Sequence, residues 1–277
     1  MNDIRPDQGQ KLAELYLANS KHGNYQPFPK YLNPYIQSGS LNFKWRDPRP
    51  RVKVIEDGLN LTNDSTVVEL GANSGFQTLS LARSFPQHQF VAVEGVRGHA
   101  AFISACAEIE GLDNVTVITE FLTPEEALAS WPNSILLDFN VAHHLGSDLQ
   151  RFDVVDVESW WTSGISSWLR GTSRAKEYWF SCGFRLGGDK GHELHDITDA
   201  SGFLLRILEL SPFSEEDITG LWFFDAPLAQ ASEDAALSAK LSSMSELNAK
   251  ILESEVAGNF VGEYFRRPLI RLSHKNR

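Results

Sequence analysis

The stretch that decides the fold is Val67-Val68-Glu69-Leu70-Gly71-Ala72-Asn73-Ser74-Gly75-Phe76-Gln77. An apolar strand runs into a Gly-x-x-x-Gly turn and then into a helix, a local topology that presents backbone N–H groups and a positive helix end to a ligand. A dinucleotide fingerprint requires Gly-x-Gly-x-x-Gly, whose middle glycine admits a pyrophosphate. Here Asn73 stands at that position, which disfavours a pyrophosphate cofactor, and the absence of Gly-Lys-Ser/Thr excludes a Walker A loop. The next strand, Phe90-Val91-Ala92-Val93-Glu94, ends on an acid 94 − 75 = 19 residues past the second glycine. A carboxylate at that place in a Rossmann-type sheet accepts hydrogen bonds from ribose hydroxyls. The pattern therefore implies a ribose without a pyrophosphate.

Outward from this unit the chain alternates. Helices are expected over 51–61, 76–84, 99–110 and 201–210, and strands over 65–70, 89–93, 115–119, 134–139, 177–183, 220–224 and 260–272. Such alternation predicts a doubly wound, mostly parallel sheet of seven strands covered by helices, in the α/β class. Residues 1–55, with a helix-like run over 9–20 followed by a Pro-, Gly- and aromatic-rich segment, form an N-terminal extension, and 56–277 form the main domain. Two helical insertions are expected, 148–172 and 232–256. The second is read as a helix packed on the sheet, with a cap over the site or a homo-oligomer surface as the alternatives. Within the extension, Asn24 to Lys30 is a candidate lid, against a simple ordered arm.

The series strand, Glu69-Leu-Gly71-x-x-x-Gly75, helix, strand, Glu94 resembles the class I S-adenosylmethionine-dependent methyltransferases, clearly over about residues 65–145 and by element order to 272. The resemblance implies S-adenosylmethionine as cofactor. Glu69, Gly71, Asn73 and Gly75 would wrap its methionine moiety and Glu94 would hold its ribose. Glu120 and Phe121, in the place where this family contacts adenine, would take the exocyclic amine and the ring face. They depart from the commoner Gly-Asp there. Asn140-Val141-Ala142-His143-His144-Leu145 resembles the Asn-Val-x-His-His-Leu segment of small-molecule members of the family.

Ligands of doubly wound sheets sit beyond the carboxyl ends of the strands, so Asn140 is expected to border the cofactor and His143 or His144 to take a proton from an acceptor hydroxyl. One of two adjacent histidines commonly caps or packs, and alignment alone serves many methyl transfers. Arg185 or Lys190, in a loop after the fifth strand, would meet an anionic group, and Trp160 and Trp161 would stack on the acceptor, with a solvated charge and a buried core as the plain alternatives.

Composition narrows the partners. Of 277 residues, 42% are hydrophobic and 22% charged, which excludes disordered and fibrous classes, and a net charge of −11 disfavours a phosphate backbone as partner. Lys44, Arg46, Arg49, Arg51 and Lys53 are the one dense basic cluster, leaving an RNA-modifying methyltransferase as a rival reading and a non-catalytic cofactor-binding protein of the same fold as another. Cys106 and Cys182 lie at no metal or redox spacing, so no metal is expected and a reducing, cytoplasmic setting fits. The first ten residues do not read as a secretory signal, and no apolar run reaches the roughly 20 residues a bilayer requires. The expected function is O-methylation of a small metabolite, such as a sugar or secondary-metabolite hydroxyl.

Overall fold

The computed structural model describes residues 4–17, 26–36, 48–147, 149–150, 152–188, 191–196, 198–224, 238–256 and 267–274. Its contacts group the chain into two units, Met1–Phe121 and Leu122–Arg277.

The first unit contains α1 (Pro6–Leu17), a 3-10 turn at Lys30–Leu32, α2 (Arg49–Gly58), β1 (Thr66–Leu70), α3 (Phe76–Ser84), β2 (Gln89–Val93), α4 (Arg97–Glu110) and β3 (Val115–Ile118). Its strands lie in the order β3-β2-β1 and all run parallel. Near-continuous apolar runs such as Thr66-Val-Val-Glu-Leu70 suit a parallel sheet that is covered on both faces. The register pairs Leu70 with Val93 and Val93 with Ile118, so the three strands finish level. Residues 71–75, 94–96 and 119–121 consequently emerge at one edge. α1 lies on α4, with Leu12, Ala13 and Tyr16 in one buried cluster with Leu79, Phe102, Ile103 and Cys106. The helix expected over 9–20 is thus found at Pro6–Leu17, and 18–20 lie outside the described residues.

The second unit contains α5 (Pro124–Ser130), β4 (Ile135–Phe139), a 3-10 turn at Ala142–His144, α6 (Val157–Ser159), α7 (Ser166–Arg170), β5 (Glu177–Ser181), α8 (Ala200–Leu210), β6 (Ile218–Phe224), β7 (Ser238–Lys240), α9 (Met244–Val256) and β8 (Leu269–Leu272). A π-helical turn, Trp160–Ile165, joins α6 to α7. The strand order is β4-β5-β8-β6-β7, with β4 and β5 parallel and β8 antiparallel to both neighbours. Glu177 on β5 holds Arg271 on β8 through contacts of 2.8 and 3.0 Å. The β5–β8 register pairs Tyr178 with Leu272 and Phe180 with Ile270. Carried three residues further, it sets Gly183 opposite Arg267.

Eight strands are present among the described residues, the seven expected and the short β7. The insertion read as a helix from 232 is corrected in part. Residues 232–237 lie outside the described residues, while Ser238–Lys240 pairs antiparallel with Phe224–Trp222. The open edge of β6 offers backbone partners that outweigh local helix preference, and the helix begins only at Met244. The last strand is confined to Leu269–Leu272, with 260–266 outside the described residues. Within 148–172 the helix starts at Val157, where Asp156 caps it by accepting from the Ser159 amide at 2.8 Å. Among the described residues no helix is long and apolar enough to cross a membrane.

Candidate functional site

In the first unit the glycine turn is built by three left-handed residues, Gly71 (φ 63°), Asn73 (φ 53°) and Gly75 (φ 75°). A Cβ on Gly75 would stand 2.7 Å from Ile103 Cγ1, so both backbone and space demand glycine there. Asparagine tolerates the left-handed region, and the Asn73 side-chain oxygen accepts from the Ser74 amide at 2.9 Å.

Gly75 has no side chain with which to cap α3, and Glu69 supplies the cap from the strand below. Its carboxylate accepts from the Thr78 amide at 3.0 Å, from the Thr78 hydroxyl, and from Gln77 Nε2 at 2.8 Å. Burial pushes its pKa up to about 7 against the pull of these donors. Glu69 therefore acts on the turn, whose shape it holds. Gln26 closes on the same turn, its Oε1 accepting from Ser74 Oγ at 2.8 Å and from the Phe76 amide at 3.4 Å. Of the expected lid, Gln26 to Lys30 thus begins on the glycine turn, while Asn24 and Tyr25 lie outside the described residues.

Glu94, at the end of β2, takes the Asn73 amide on Oε2 at 2.6 Å and the Val96 amide on Oε1 at 2.8 Å. The backbone donor that a pyrophosphate would need in this turn is thereby committed to a carboxylate. Each oxygen has a second lone pair, so the fixed carboxylate is able to accept two further donors, the demand of a ribose diol. Burial raises its pKa to about 7, in spite of both amides. His99, which the sequence reading passed over, has Nδ1 4.0 Å from Glu94 Oε1. It lies in the first turn of α4, a position legible once Arg97 is known to start that helix.

Beside the acid, Gly95 leaves room for the Phe121 ring, since a Cβ there would come 2.3 Å from Phe121 Cε1. Phe121 is 46% exposed and Val96 36%, so an apolar surface remains open next to Glu94. Glu120 is exposed at the end of β3.

In the second unit Phe139 pairs with Ser181, so the segments after β4 and β5 leave the sheet together. Asn140 is left-handed (φ 62°) and donates its amide to the Ser181 carbonyl at 2.7 Å. His143 is buried in the 3-10 turn, and its Nδ1 receives the Gly183 amide at 3.2 Å. An amide N–H only donates, so Nδ1 is the unprotonated nitrogen and the neutral ring carries its proton on Nε2. Of the two histidines expected to take a proton, His143 thus has Nδ1 engaged by Gly183. His144 lies half-buried beside it, ring centroids 4.2 Å apart.

The sequence reading also missed Arg267. It is 3% exposed, and its Nη1 donates to Asn140 Oδ1 at 2.9 Å. A Cβ on Gly183 would stand 2.9 Å from Arg267 Nη2 and 3.1 Å from His143 Cδ2, so the missing side chain is what lets the two approach. No local pattern marked Arg267; the β5–β8 register does.

The structure places the three residues expected to meet the acceptor as follows. Trp160 and Trp161 are buried, 0% and 3% exposed, and their indole N–H groups are satisfied by the Ala142 and Leu194 carbonyls at 2.9 and 3.0 Å. They are supports, Trp160 for the very turn that carries His143, because two adjacent apolar rings gain more from the core than from an open pocket. Arg185 is ion-paired with Glu193 at 3.2 Å across a two-stranded loop, both partly exposed. That loop is tied to the site by its backbone, Gly187 N–H donating to the His143 carbonyl at 2.7 Å. Lys190 lies outside the described residues. Asp138, next to Asn140, is fully buried and accepts from Trp168 Nε1 and Tyr178 Oη, each at 2.7 Å. Among the described residues no three His, Cys, Asp or Glu side chains gather as metal ligands.

No family model and no curated protein matches the chain. Solved structures do. The bifunctional kinase-methyltransferase WbdD is similar at 14% identity over 95% of this chain and 46% of its own, with a TM-score of 0.54. WbdD crystallised with the kinase inhibitor LY294002 gives 16% identity, 95% and 47% coverage, and a TM-score of 0.55. A looser match, the N-terminal domain of EvdMO1 with SAH bound, covers 98% of both chains at 15% identity and a TM-score of 0.45. The chain spans about half the length of the WbdD structures, 46% to 47%. Taken with the strand order and the strand–turn–helix unit, this likeness establishes that the chain has the α/β fold of the class I S-adenosylmethionine-dependent methyltransferases.

Proposed function

We propose that the chain binds S-adenosylmethionine through its first unit and transfers the methyl group to a small metabolite, the acceptor atom being a hydroxyl oxygen. The observation that carries this reading is Glu94: a buried carboxylate fixed by the Asn73 and Val96 amides, with the partly exposed Phe121 ring beside Gly95 next to it. This arrangement suits a ribose and an attached flat ring, and committing the Asn73 amide to the acid disfavours a pyrophosphate. The fold shared with WbdD is consistent with the reading.

When bound, the sulfonium supplies an electrophilic methyl group. Glu94 orients the ribose, and the turn held by Glu69 and Gln26 shapes the site of the methionine end. In the second unit, Asn140 and His143, at the carboxyl ends of its strands, would be the residues that hold the acceptor. The acceptor hydroxyl must give up its proton as it takes the methyl group. With Nδ1 of His143 engaged by Gly183, His144 is the histidine assigned to receive it, and in-line alignment supplies the larger part of the rate, in favourable cases about 7–11 kcal/mol.

The test is a methyl-transfer screen against hydroxylated metabolites using His143→Ala and His144→Ala. The expected outcome is a fall of about 10²-fold or more in kcat for His144→Ala with S-adenosylhomocysteine affinity unchanged, since proton transfer is expressed in the transition state. A fall below fivefold in both variants, with a flat pH profile, leaves catalysis to alignment and removes both histidines from the proton path.

A further inference from the structure

In the first unit, α1 turns one face toward α4 without closing on it. Gln8, Lys11, Leu12 and Leu15 recur at the three- and four-residue spacing of a single helical face, as do Ala105, Glu108 and Ile109 on α4, and between them lies a cavity of about 370 Å³. That volume falls within the range of small-molecule sites. Leu12, 2% exposed, forms the floor, with half-buried Leu15 and Ile109 beside it, and Ala105, the smallest side chain of the wall, is what leaves the space open. Two opposite charges stand at the mouth, Lys11 from α1 and Glu108 from α4, both exposed. Among the described residues neither side chain has an ion-pair or hydrogen-bond partner, so the two face one cavity without neutralising each other. Gln8, the third polar residue of the wall, carries both a donor and an acceptor.

Such a wall selects by charge pattern. An apolar carboxylate would gain from Lys11 and lose to Glu108, and an apolar amine the reverse, whereas a molecule that carries both groups gains from both. A zwitterion also has no net charge, so the −11 of the chain does not repel it. We infer that the cavity between α1 and α4 is a binding site for a free amino acid with a large apolar side chain, which lies on Leu12, Leu15, Ala105 and Ile109 while its carboxylate meets Lys11 and its ammonium group meets Glu108. Burial of the apolar side chain supplies most of the affinity, and the two charges supply the choice of ligand. The site shares no residue with Glu94, the glycine turn or the second unit, so the inference goes beyond the methyl-transfer reading and stands without it.

The test follows the methyl resonances of the full chain as L-phenylalanine, hydrocinnamate, which lacks the ammonium group, and phenethylamine, which lacks the carboxylate, are titrated in. L-Phenylalanine should shift the Leu15, Ala105 and Ile109 methyl signals saturably and bind at least about threefold more tightly than either analogue, the size expected of one exposed ion pair. Lys11→Gln should make phenethylamine the equal of L-phenylalanine, and Glu108→Gln should do the same for hydrocinnamate; both positions are exposed, so the melting temperature should hold. Ala105→Leu keeps a good helix former and fills the space, and it should abolish binding of all three compounds with the melting temperature kept or raised. Absence of saturable shifts at these methyl groups overturns the proposal, as does an analogue that binds the wild type as tightly as L-phenylalanine, or binding that survives Ala105→Leu. Concentration-dependent dimerisation that Lys11→Gln abolishes also overturns it, assigning the face to a second copy of the chain.

Discussion

A carboxylate that is buried, held by two backbone amides, and still raised to a pKa of about 7 is poised to respond to a ligand that brings more donors. For Glu94, ribose hydroxyls would favour the charged form, so the pKa in the complex lies below that of the free protein and binding releases a proton. S-adenosylhomocysteine affinity should therefore rise with pH from about 5.5 and level off above about 7. Glu94→Gln should weaken binding by at least about tenfold, from the loss of charge-assisted bonds, and should flatten that profile. Calorimetry across the pH range reads both; unchanged affinity in a variant that melts normally would place the ribose elsewhere. The tautomer of His143 is separately readable. Nitrogen-15 chemical shifts of the imidazole should show Nδ1 unprotonated and Nε2 protonated in the neutral ring, and the reverse pattern would undo the role given to Gly183.

At the scale of elements, the site is made by turns that only certain residues permit. Gly75→Ala must place a methyl group 2.7 Å from Ile103 Cγ1 at a φ of 75°, which should destabilise the fold by about 1–3 kcal/mol in urea melts and weaken the cofactor as well. Trp160→Phe removes the indole bond to the Ala142 carbonyl and should loosen the 142–144 turn, lowering kcat more than stability. The strand–turn–helix–strand–acid unit was legible because its period, its glycines and its acid are all local: α3 and β2 lie where the sequence places them, at Phe76–Ser84 and Gln89–Val93. α5 was readable in principle from Thr123-Pro124-Glu125-Glu126, a proline at the first turn and a capping box in which Glu126 reaches back to the Thr123 amide at 2.7 Å. β7 was not, since three residues with helix-like neighbours become a strand only because β6 presents an open edge. Arg267 was invisible for a similar reason. Its partners, Asn140 and Gly183, are distant in sequence and meet it through antiparallel register.

Across the whole molecule, three buried acids share one thermodynamic direction. Glu69 and Glu94 are raised to about 7 and Asp138 to about 6, in each case chiefly by burial. Their folded pKa values exceed the unfolded ones, so between about pH 4.5 and 7 the native state binds more protons and their combined contribution falls as pH rises, by roughly 1.4 kcal/mol for each tenfold difference in proton affinity between the folded and unfolded chain. A Glu69→Gln variant, in which Gln77 can turn its amide to match, should lose less stability than the wild type between pH 5.5 and 8 in urea titrations; equal losses would show that Glu69 is already charged below that window. The claim on which the functional account depends is the cofactor, and it is tested most directly by calorimetric titration of the full chain with S-adenosylhomocysteine, NAD and ATP at pH 8. The account predicts saturable S-adenosylhomocysteine binding, with NAD and ATP at least about tenfold weaker because the Asn73 amide is bound to Glu94 and withheld from a pyrophosphate. Binding of NAD as tight as or tighter than S-adenosylhomocysteine would contradict it.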